Sequence, residues 1–364
     1  MKLVLEKIIP KSAQGNTASV DFFDATGILL LKKGQPITKN ILERLEKREI
    51  YVLCNNLNSS SSSKLVKAFP KDIYVELASS LWSIYHEAKL IKPEQIEKTM
   101  VLVEVILGEL KNQSVYFNFH TMCLNVERFK QHDYGTFRHI LNVALLSAIT
   151  GIQLGYAGQR LKYLTTGALL HDLGKLKAPM DILNKPSGLT EDEYSIVKNH
   201  PLDGADMLRD ICLPDSVIAV VKEHQERWNG KGYPLGLKGK EIHFNAQIIA
   251  VADVYEALTA DRPYRPGIPP YHALEMIIGW SGEDFNPEIV QAFRESLVLY
   301  PENAIVTLNT GEKGIVITVP LRMPTRPLIR LLFDRGGKYL NCDTYVDLMK
   351  DLTQFVVGVE FNLE

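Results

Sequence analysis

From Lys64 to about Leu299, apolar residues recur with a helical period, and this stretch forms the larger part of a chain of 364 residues. Each run of that kind leaves one apolar stripe to bury, so the segments must pack on one another and the region is expected to be an all-α domain. The pattern predicts helices over Ile73 to Ala88, Pro93 to Leu110, His139 to Leu154, Leu161 to His171, Glu191 to Leu208, Ser216 to His224, Ala246 to Ala260 and Tyr271 to Gly279.

The period changes on both sides of this stretch. Before Cys54, Lys2 to Ile9 partly alternates, Ala18 to Phe23 and Ile28 to Lys32 flank the turn signal Asp24-Ala25-Thr26-Gly27, and Thr38 to Glu46 has helical spacing. That reads as a small β-rich module with one short helix, a structural or docking appendage without a cluster of catalytic residue types. Ser59 to Ser63, preceded by Asn55, Asn56 and Asn58, reads as a linker, because such residues bury little and cost entropy to order.

Beyond Tyr300, Ala304 to Leu308 and Ile315 to Val319 bracket the turn-rich Asn309 to Gly314. Leu328 to Phe333, a helix at Tyr345 to Leu352 and a last strand at Phe355 to Phe361 complete a second β-rich module. The expected division is 1–55, a linker at 56–64, a helical domain at 65–299 and a C-terminal module at 300–364. The fold class is mainly α, a central helical bundle flanked by two small β-rich modules.

A net charge of −2 offers no broad surface for a nucleic-acid polymer, so any anionic ligand must be captured locally. Cys54, Cys123, Cys212 and Cys342 are far apart and form no CxxC pair, which argues against a thiolate metal site or a disulfide scaffold. No secretory leader is recognised, and charge or glycine interrupts every apolar run before the ~18 residues that would span a bilayer. A cytoplasmic protein without a membrane segment is expected.

The chemistry is concentrated in the helical region. His171 to Lys175 reads HDLGK, at the end of an apolar segment. Helical geometry would put His171 and Lys175 on one face and Asp172 about 100° round, close enough for His171 and Asp172 to meet one metal cluster. A bare HD pair is usually surface polar sequence or a cap. Here Ala168, Leu169 and Leu170 suggest burial, where an unpaired carboxylate is costly.

Asp253 interrupts the apolar Ile248 to Ala252 on a predicted buried helix, and a lone carboxylate there needs a metal or a strong cation. His139 opens an amphipathic run and reads equally as a core histidine. His200 stands in HPLDG, which also reads as a solvated turn. His224 precedes the loop Asn229 to Pro234, whose Gly230, Gly232 and Pro234 let backbone approach a ligand, as many plain turns do. Arg262 and Arg265 suit phosphate oxygens, or pair structurally with Asp261 or Glu256. Four histidines and two aspartates without cysteine suit iron, manganese or zinc. Two such ions, bridged by a carboxylate and ~3.5–4 Å apart, can hold a hydroxide nucleophile and neutralise a phosphate.

On these residues, and on the ordered text HDLGK, ILNKPSGLTEDE, NHPLDGA, HQERWNGKGYPLGLKGKEI and IIAVADVYEALTADRPYR, the span from His139 to Arg265 resembles the HD-GYP family, a branch of the HD metal-dependent phosphohydrolases. The resemblance implies an HD-type helical bundle and hydrolysis of the bacterial messenger cyclic di-GMP. It implies metal binding by His139, His171, Asp172, His200, His224 and Asp253, with Asp172 as the bridge. It implies phosphate contacts from Lys175, Arg262 and Arg265, with Lys175 and Asp172 serving catalysis. Tyr233, with Gly232 and Pro234 in the GYP loop, would line the substrate pocket.

Three positions depart from the family pattern. The family usually carries a second histidine where this chain has Gln225, followed by a loop aspartate where it has Asn229; a glutamate that accompanies a third metal is replaced by Gly135. The expectation is therefore two divalent ions at most, iron or manganese before zinc, and the linear dinucleotide pGpG as product. The competing reading is a degenerate domain that binds cyclic di-GMP or a partner protein of second-messenger signalling without turnover. An HD hydrolase for another phosphorylated nucleotide is a third, against which the GYP loop argues. A homodimer is compatible with all of them.

Overall fold

The computed structural model describes residues 92–112, 134–183, 185, 187–261, 266–297, 299–300, 302–320, 323–340 and 343–360, with 3–7, 22–24, 29–31, 35–36, 38, 50–55, 76, 79–81 and 83–85. By compactness the chain divides into a unit of Val66–Leu299 and a unit made of Met1–Leu65 with Tyr300–Glu364.

The first unit is helical. Its elements are α1 (Pro93–Asn112), α2 (Tyr134–Gln153), α3 (Gly158–Leu170), α4 (Met180–Leu183), α5 (Glu191–Lys198), α6 (His200–Met207), α7 (Asp215–Glu223), α8 (Phe244–Thr259), α9 (Pro270–Gly279) and α10 (Pro287–Ser296), with 3-10 turns at Leu173–Lys177 and Gly239–Glu241. Helix α2 packs against α3, α8 and α10, and α3 also packs against α7. Their shared core includes Ile140, Leu164, Leu169, Ile248, Tyr255 and Phe293, all fully or almost fully buried. Each such side chain stabilises the fold by ~1.5–3 kcal/mol relative to exposure.

Helix α2 begins one turn earlier than the periodicity predicts. Its first turn is held by buried Phe137, edge-on to Tyr85 at 6.0 Å, a tertiary contact that local spacing does not announce. The stretch Glu191 to Leu208, expected as one helix, breaks at Asn199 into α5 and α6. Pro201 is the cause: it has no N–H to donate to the Val197 carbonyl, so the helical ladder cannot run through. At the other end of α5 a capping box closes the first turn, with Thr190 Oγ accepting from the Glu193 N–H and the Glu193 carboxylate accepting from the Thr190 N–H. Lys185 donates to the same carboxylate at 2.6 Å, so ILNKPSGLTEDE is largely a structural clasp.

HDLGK departs from the expected helix. Helix α3 ends at Leu170, Asp172 has φ −96° and ψ 6°, and Leu173–Lys177 forms a 3-10 turn. Lys175 therefore faces Asp172 instead of sharing a helical face with His171. Gly174 permits this: a Cβ there would lie 1.9 Å from the His200 carbonyl oxygen and 2.4 Å from the Gly204 nitrogen, so only glycine lets the turn lie on the start of α6. Helix α10, which the periodicity missed, starts at an Asn-Pro signal: Asn286 Oδ1 accepts from the Glu288 N–H, and Pro287 occupies the first turn.

In the second unit, β5 (Ile305–Leu308), β6 (Lys313–Thr318), β7 (Leu328–Phe333), β8 (Tyr345–Asp347) and β9 (Val356–Glu360) form an antiparallel sheet in the order β8-β7-β6-β5-β9. Ile315, Leu332 and Phe333 pack with Tyr339. The helix expected at Tyr345 to Leu352 is not formed: Tyr345 and Val346 pair with Arg330 and Ile329, and a turn closed on the Asp347 carbonyl follows. Cross-strand pairing of an aromatic and a β-branched residue outweighs the short helical spacing there. Strands β1 (Leu3–Lys7), β2 (Phe22–Asp24), β3 (Leu29–Leu31) and β4 (Ile50–Asn55) pair antiparallel in the order β1-β4-β2-β3. The linker at 56–64 and most of the helices expected at Thr38 to Glu46 and Ile73 to Ala88 lie outside the described residues. Among the described residues no helix is long and apolar enough to cross a membrane.

Candidate metal centre

Five segments bring six side chains to one place. His139 comes from the second turn of α2, His171 and Asp172 from the end of α3, His200 from the first residue of α6, His224 from the residue after α7, and Asp253 from α8. His171, Asp172, His200 and His224 are buried, and Asp253 is 9% exposed. The Asp172 carboxylate lies at the centre. From its oxygens the Nε2 atoms of His139, His171, His200 and His224 lie 3.5, 3.4, 3.5 and 3.8 Å away. His139 Nε2 is also 3.3 Å from Asp253 Oδ1.

Three of the four histidines are aimed by the same local device. His171, His200 and His224 follow helix ends, where backbone carbonyls lack intrahelical partners. Their Nδ1 atoms donate to the carbonyl three residues back: Ala168 at 2.6 Å, Val197 at 2.8 Å and Val221 at 3.0 Å. The Val197 carbonyl is the one that Pro201 cannot engage. His139 differs only in partner, its Nδ1 donating to Glu256 Oε2 at 2.5 Å. Carbonyl and carboxylate oxygens only accept, so each Nδ1 carries a proton and each ring turns its Nε2 inward; on His200 and His224, which burial keeps neutral, that Nε2 is a bare lone pair.

These lone pairs have no proton to share. His200 Nε2 and His224 Nε2 are 3.1 Å apart, two acceptors face to face. Burial holds the pKa of His200 below the ordinary value, the nearby Asp172 charge only partly opposing it. Burial holds His224 well below, reinforced by His171 and His200, so neither ring gains a proton to bridge them at neutral pH. His171 Nε2 and Asp172 Oδ1 are buried with no hydrogen-bond partner. A buried polar atom without a partner costs ~1–3 kcal/mol, and a cation among these atoms removes that cost. The donor set of imidazole nitrogens and carboxylate oxygens fits a divalent ion of borderline to hard character. Two overlapping groups could hold one, His139 with His171 and Asp253, and His171 with Asp172 and His224. His171 has one lone pair and can serve one ion at a time.

The carboxylates are ready to bind. Burial alone would raise Asp172, but Lys175 and the flanking His171 and His139 outweigh it and hold the carboxyl well below its usual range. Burial likewise opposes ionisation of Asp253, and the His139 hydrogen bond and charge overcome it. For His139 burial is again opposed, here by hydrogen bonds to Asp172, Asp253 and Glu256, and its pKa stands well above the ordinary value.

The remaining expected site residues are placed as follows. Lys175 Nζ donates to Asp172 Oδ2 at 2.6 Å. The Tyr233 ring lies 6.3 Å from the His200 ring, its pKa raised by burial and then by Tyr194 and the two aspartates, so it remains a neutral phenol. Gly232 is required by close approach, since a Cβ would lie 2.3 Å from the Arg227 nitrogen. Pro234 follows in the same loop, and Arg262 and Arg265 lie outside the described residues. Gln225 faces the cluster with its nitrogen, Nε2 donating to Asp253 Oδ2 at 3.0 Å. Asn229 turns away, to Asp284 at 2.8 Å, and Gly135 leaves no side chain one turn before His139.

Two supporting residues go beyond the sequence pattern, which offers Glu256 only as a partner for the arginines and passes over Glu226. Glu256, buried, binds His139 through Oε2 and Asn142 through Oε1 at 3.2 Å; its acidity, opposed by burial, is favoured by that His139 bond. Its signal was a second acid three residues after Asp253 in an apolar helix. Glu226, also buried, accepts from the backbone N–H groups of Leu235, Gly236 and Leu237 at 2.7, 3.1 and 3.1 Å and so fixes the loop after Tyr233. Nothing in its local sequence marks it.

Comparison with known proteins agrees with this geometry. Residues 128–289 match the HD domain family, and residues 305–362 match a KOW domain associated with the HD domain. The helical domain thus belongs to the HD superfamily. Its relatives include the cyclic di-GMP phosphodiesterase PA4108 of Pseudomonas aeruginosa, 36% identical over 65% of this chain and 58% of that protein. A cyclic di-GMP phosphodiesterase of Thermotoga maritima is 32% identical over 58% of each chain. The response regulator RpfG of Xanthomonas campestris, a cyclic di-GMP phosphodiesterase, is 35% identical over 55% of this chain and 53% of that one. Within the superfamily, the domain's motifs resemble those of the HD-GYP branch. The chain spans little more than half the length of these relatives. A solved structure of Bd1817, an HDG"Y"P protein from Bdellovibrio bacteriovorus, shares the fold, with a TM-score of 0.50 at 19% identity, over 80% of this chain and 98% of that one.

Proposed function

We propose that this protein is a metal-dependent phosphodiesterase that hydrolyses cyclic di-GMP to linear pGpG. The observation that carries the reading is the set of four Nε2 atoms turned onto the buried Asp172 carboxylate, each ring fixed by its Nδ1 hydrogen bond. His139, His171, Asp172, His200, His224 and Asp253 would hold two divalent ions, iron or manganese, with Asp172 between them. Ions held there supply positive charge for a phosphoryl oxygen and lower the pKa of a water molecule.

This chain's own residues supply the rest. Glu256 fixes the tautomer and direction of His139, as carboxylates behind metal-binding histidines do. Lys175, partly exposed beside Asp172, offers an ammonium to a substrate phosphate. Tyr233, kept neutral, presents a phenolic O–H and a ring to the ligand. Arg262 and Arg265 are proposed as further phosphate contacts. The names of the relatives support cyclic di-GMP as substrate. The division 1–55, 56–64, 65–299 and 300–364, a cytoplasmic location and protein partners for the flanking modules belong to the same proposal.

A second reading, a regulator that binds cyclic di-GMP without turnover, is favoured by the Gln225 amide on Asp253 Oδ2. Purified protein loaded with iron or manganese distinguishes the two. Conversion of cyclic di-GMP to pGpG supports the enzyme; tight binding without turnover under either metal, with the fold intact, supports the regulator.

A further inference from the structure

Lys198, the last residue of α5, stands beside the centre and is used by none of the chemistry above. Its ammonium lies 4.6 Å from the Tyr194 ring centroid and 5.5 Å from that of Tyr233, and the Tyr233 ring is the one packed against His200. Tyr194 is 47% exposed, while Lys198 is half-buried and pairs with no carboxylate among the described residues. A lysine one turn after a tyrosine often packs on it merely through its stem. Here a second ring, from the GYP loop, faces the same ammonium, which fixes its place at the rim of the histidine cluster. Lys175, by contrast, stands at Asp172 itself and so meets the phosphate at the metal ligands.

A cyclic dinucleotide carries two phosphodiesters, and when one lies at the metal ligands the other needs its own cation. We propose that Lys198, held between Tyr194 and Tyr233, is a further substrate-binding residue that receives the phosphate not being cleaved. This rests on the phosphodiesterase reading above. Because the ammonium keeps N–H groups free of the rings, it binds phosphate as a point charge; an arginine should serve in its place.

The test compares the metal-loaded full chain with Lys198→Met and Lys198→Arg, using cyclic di-GMP and the single-phosphate diester bis(p-nitrophenyl) phosphate. Lys198→Met should raise KM for cyclic di-GMP about tenfold, change kcat less than twofold, and flatten the rise of KM with salt. The small diester should lose much less, and Lys198→Arg should recover most of the affinity. An unchanged KM, or equal losses on both substrates, would overturn the assignment. A merely structural lysine would lower Tm and metal content without altering the salt dependence. If the wild-type chain binds cyclic di-GMP without turning it over, calorimetric dissociation constants replace KM with the same expectation. If it cleaves the small diester but neither binds nor cleaves cyclic di-GMP, the choice of substrate fails, and this assignment with it.

Discussion

Changing Glu256 to glutamine tests whether the centre is tuned from behind its ligands. The carboxylate accepts from His139 at 2.5 Å and from Asn142 at 3.2 Å. Glutamine keeps one oxygen for His139 and turns an amide donor toward the Asn142 donor, so Asn142 must rotate or lose its partner. A hydrogen bond to a charged group is worth ~1.5–3 kcal/mol and a neutral one ~0.5–1.5, a difference of ~1–2 kcal/mol. At 1.4 kcal/mol per tenfold, metal affinity should fall about 5- to 30-fold.

The pH dependence gives a second, independent sign. The Glu256 bond raises the His139 pKa, so in the wild type protons compete harder with the ion. In Glu256→Gln that competition weakens, and the affinity deficit should be largest at high pH and shrink as pH falls. Titration of manganese or zinc against a chromogenic chelator at three pH values, with circular dichroism to verify folding, measures both. Equal affinities, or a deficit that grows as pH falls, would mean that Glu256 does not tune His139.

Saturating the centre with metal at about a hundred times Kd should stabilise the fold by ~2.7 kcal/mol, which for a domain of this size raises Tm by ~5–10 °C in calorimetry. No rise would mean that the inward lone pairs do not form a site. Glu226→Ala removes the acceptor of three backbone N–H groups; KM for cyclic di-GMP should rise severalfold while bound metal per chain is unchanged, whereas loss of metal would place Glu226 in the centre itself. Gln225→His removes the amide from Asp253 and adds a ligand at the rim. Metal analysis should then find tighter binding of the second ion; unchanged stoichiometry and affinity would show that Gln225 does not limit the site.

The legibility of this chain varied with the kind of interaction. Helices built on an apolar stripe, such as α8 and α9, were readable because periodicity and burial have the same cause. What depends on contacts distant in sequence was not. The early start of α2 needs Tyr85, and the tight turn at HDLGK needs the backbone of His200 and Gly204 against Gly174. The break at Asn199 was in principle visible in Pro201, and its consequence was functional: it frees the carbonyl that aims His200.

At the site, residue types identified candidates and the fold supplied direction. His139, His171, Asp172, His200, His224 and Asp253 could be named one by one, yet only the structure brings their ligand atoms together. The supporting groups were harder to see. Glu226 and Glu256 resemble ordinary acids in sequence, and their importance comes from burial and from the N–H groups they meet. Gln225 was recognisable as a departure, but that its nitrogen would engage Asp253 depends on the orientation of an amide that no sequence pattern encodes.

The most direct measurement incubates the manganese- or iron-loaded chain, and its Asp172→Asn form, with cyclic di-GMP and separates the products by chromatography with mass detection. Linear pGpG should accumulate with the wild type and not with Asp172→Asn, together with loss of bound metal in that variant. Intact cyclic di-GMP after incubation with a folded, metal-loaded wild-type chain would contradict the proposed phosphodiesterase activity.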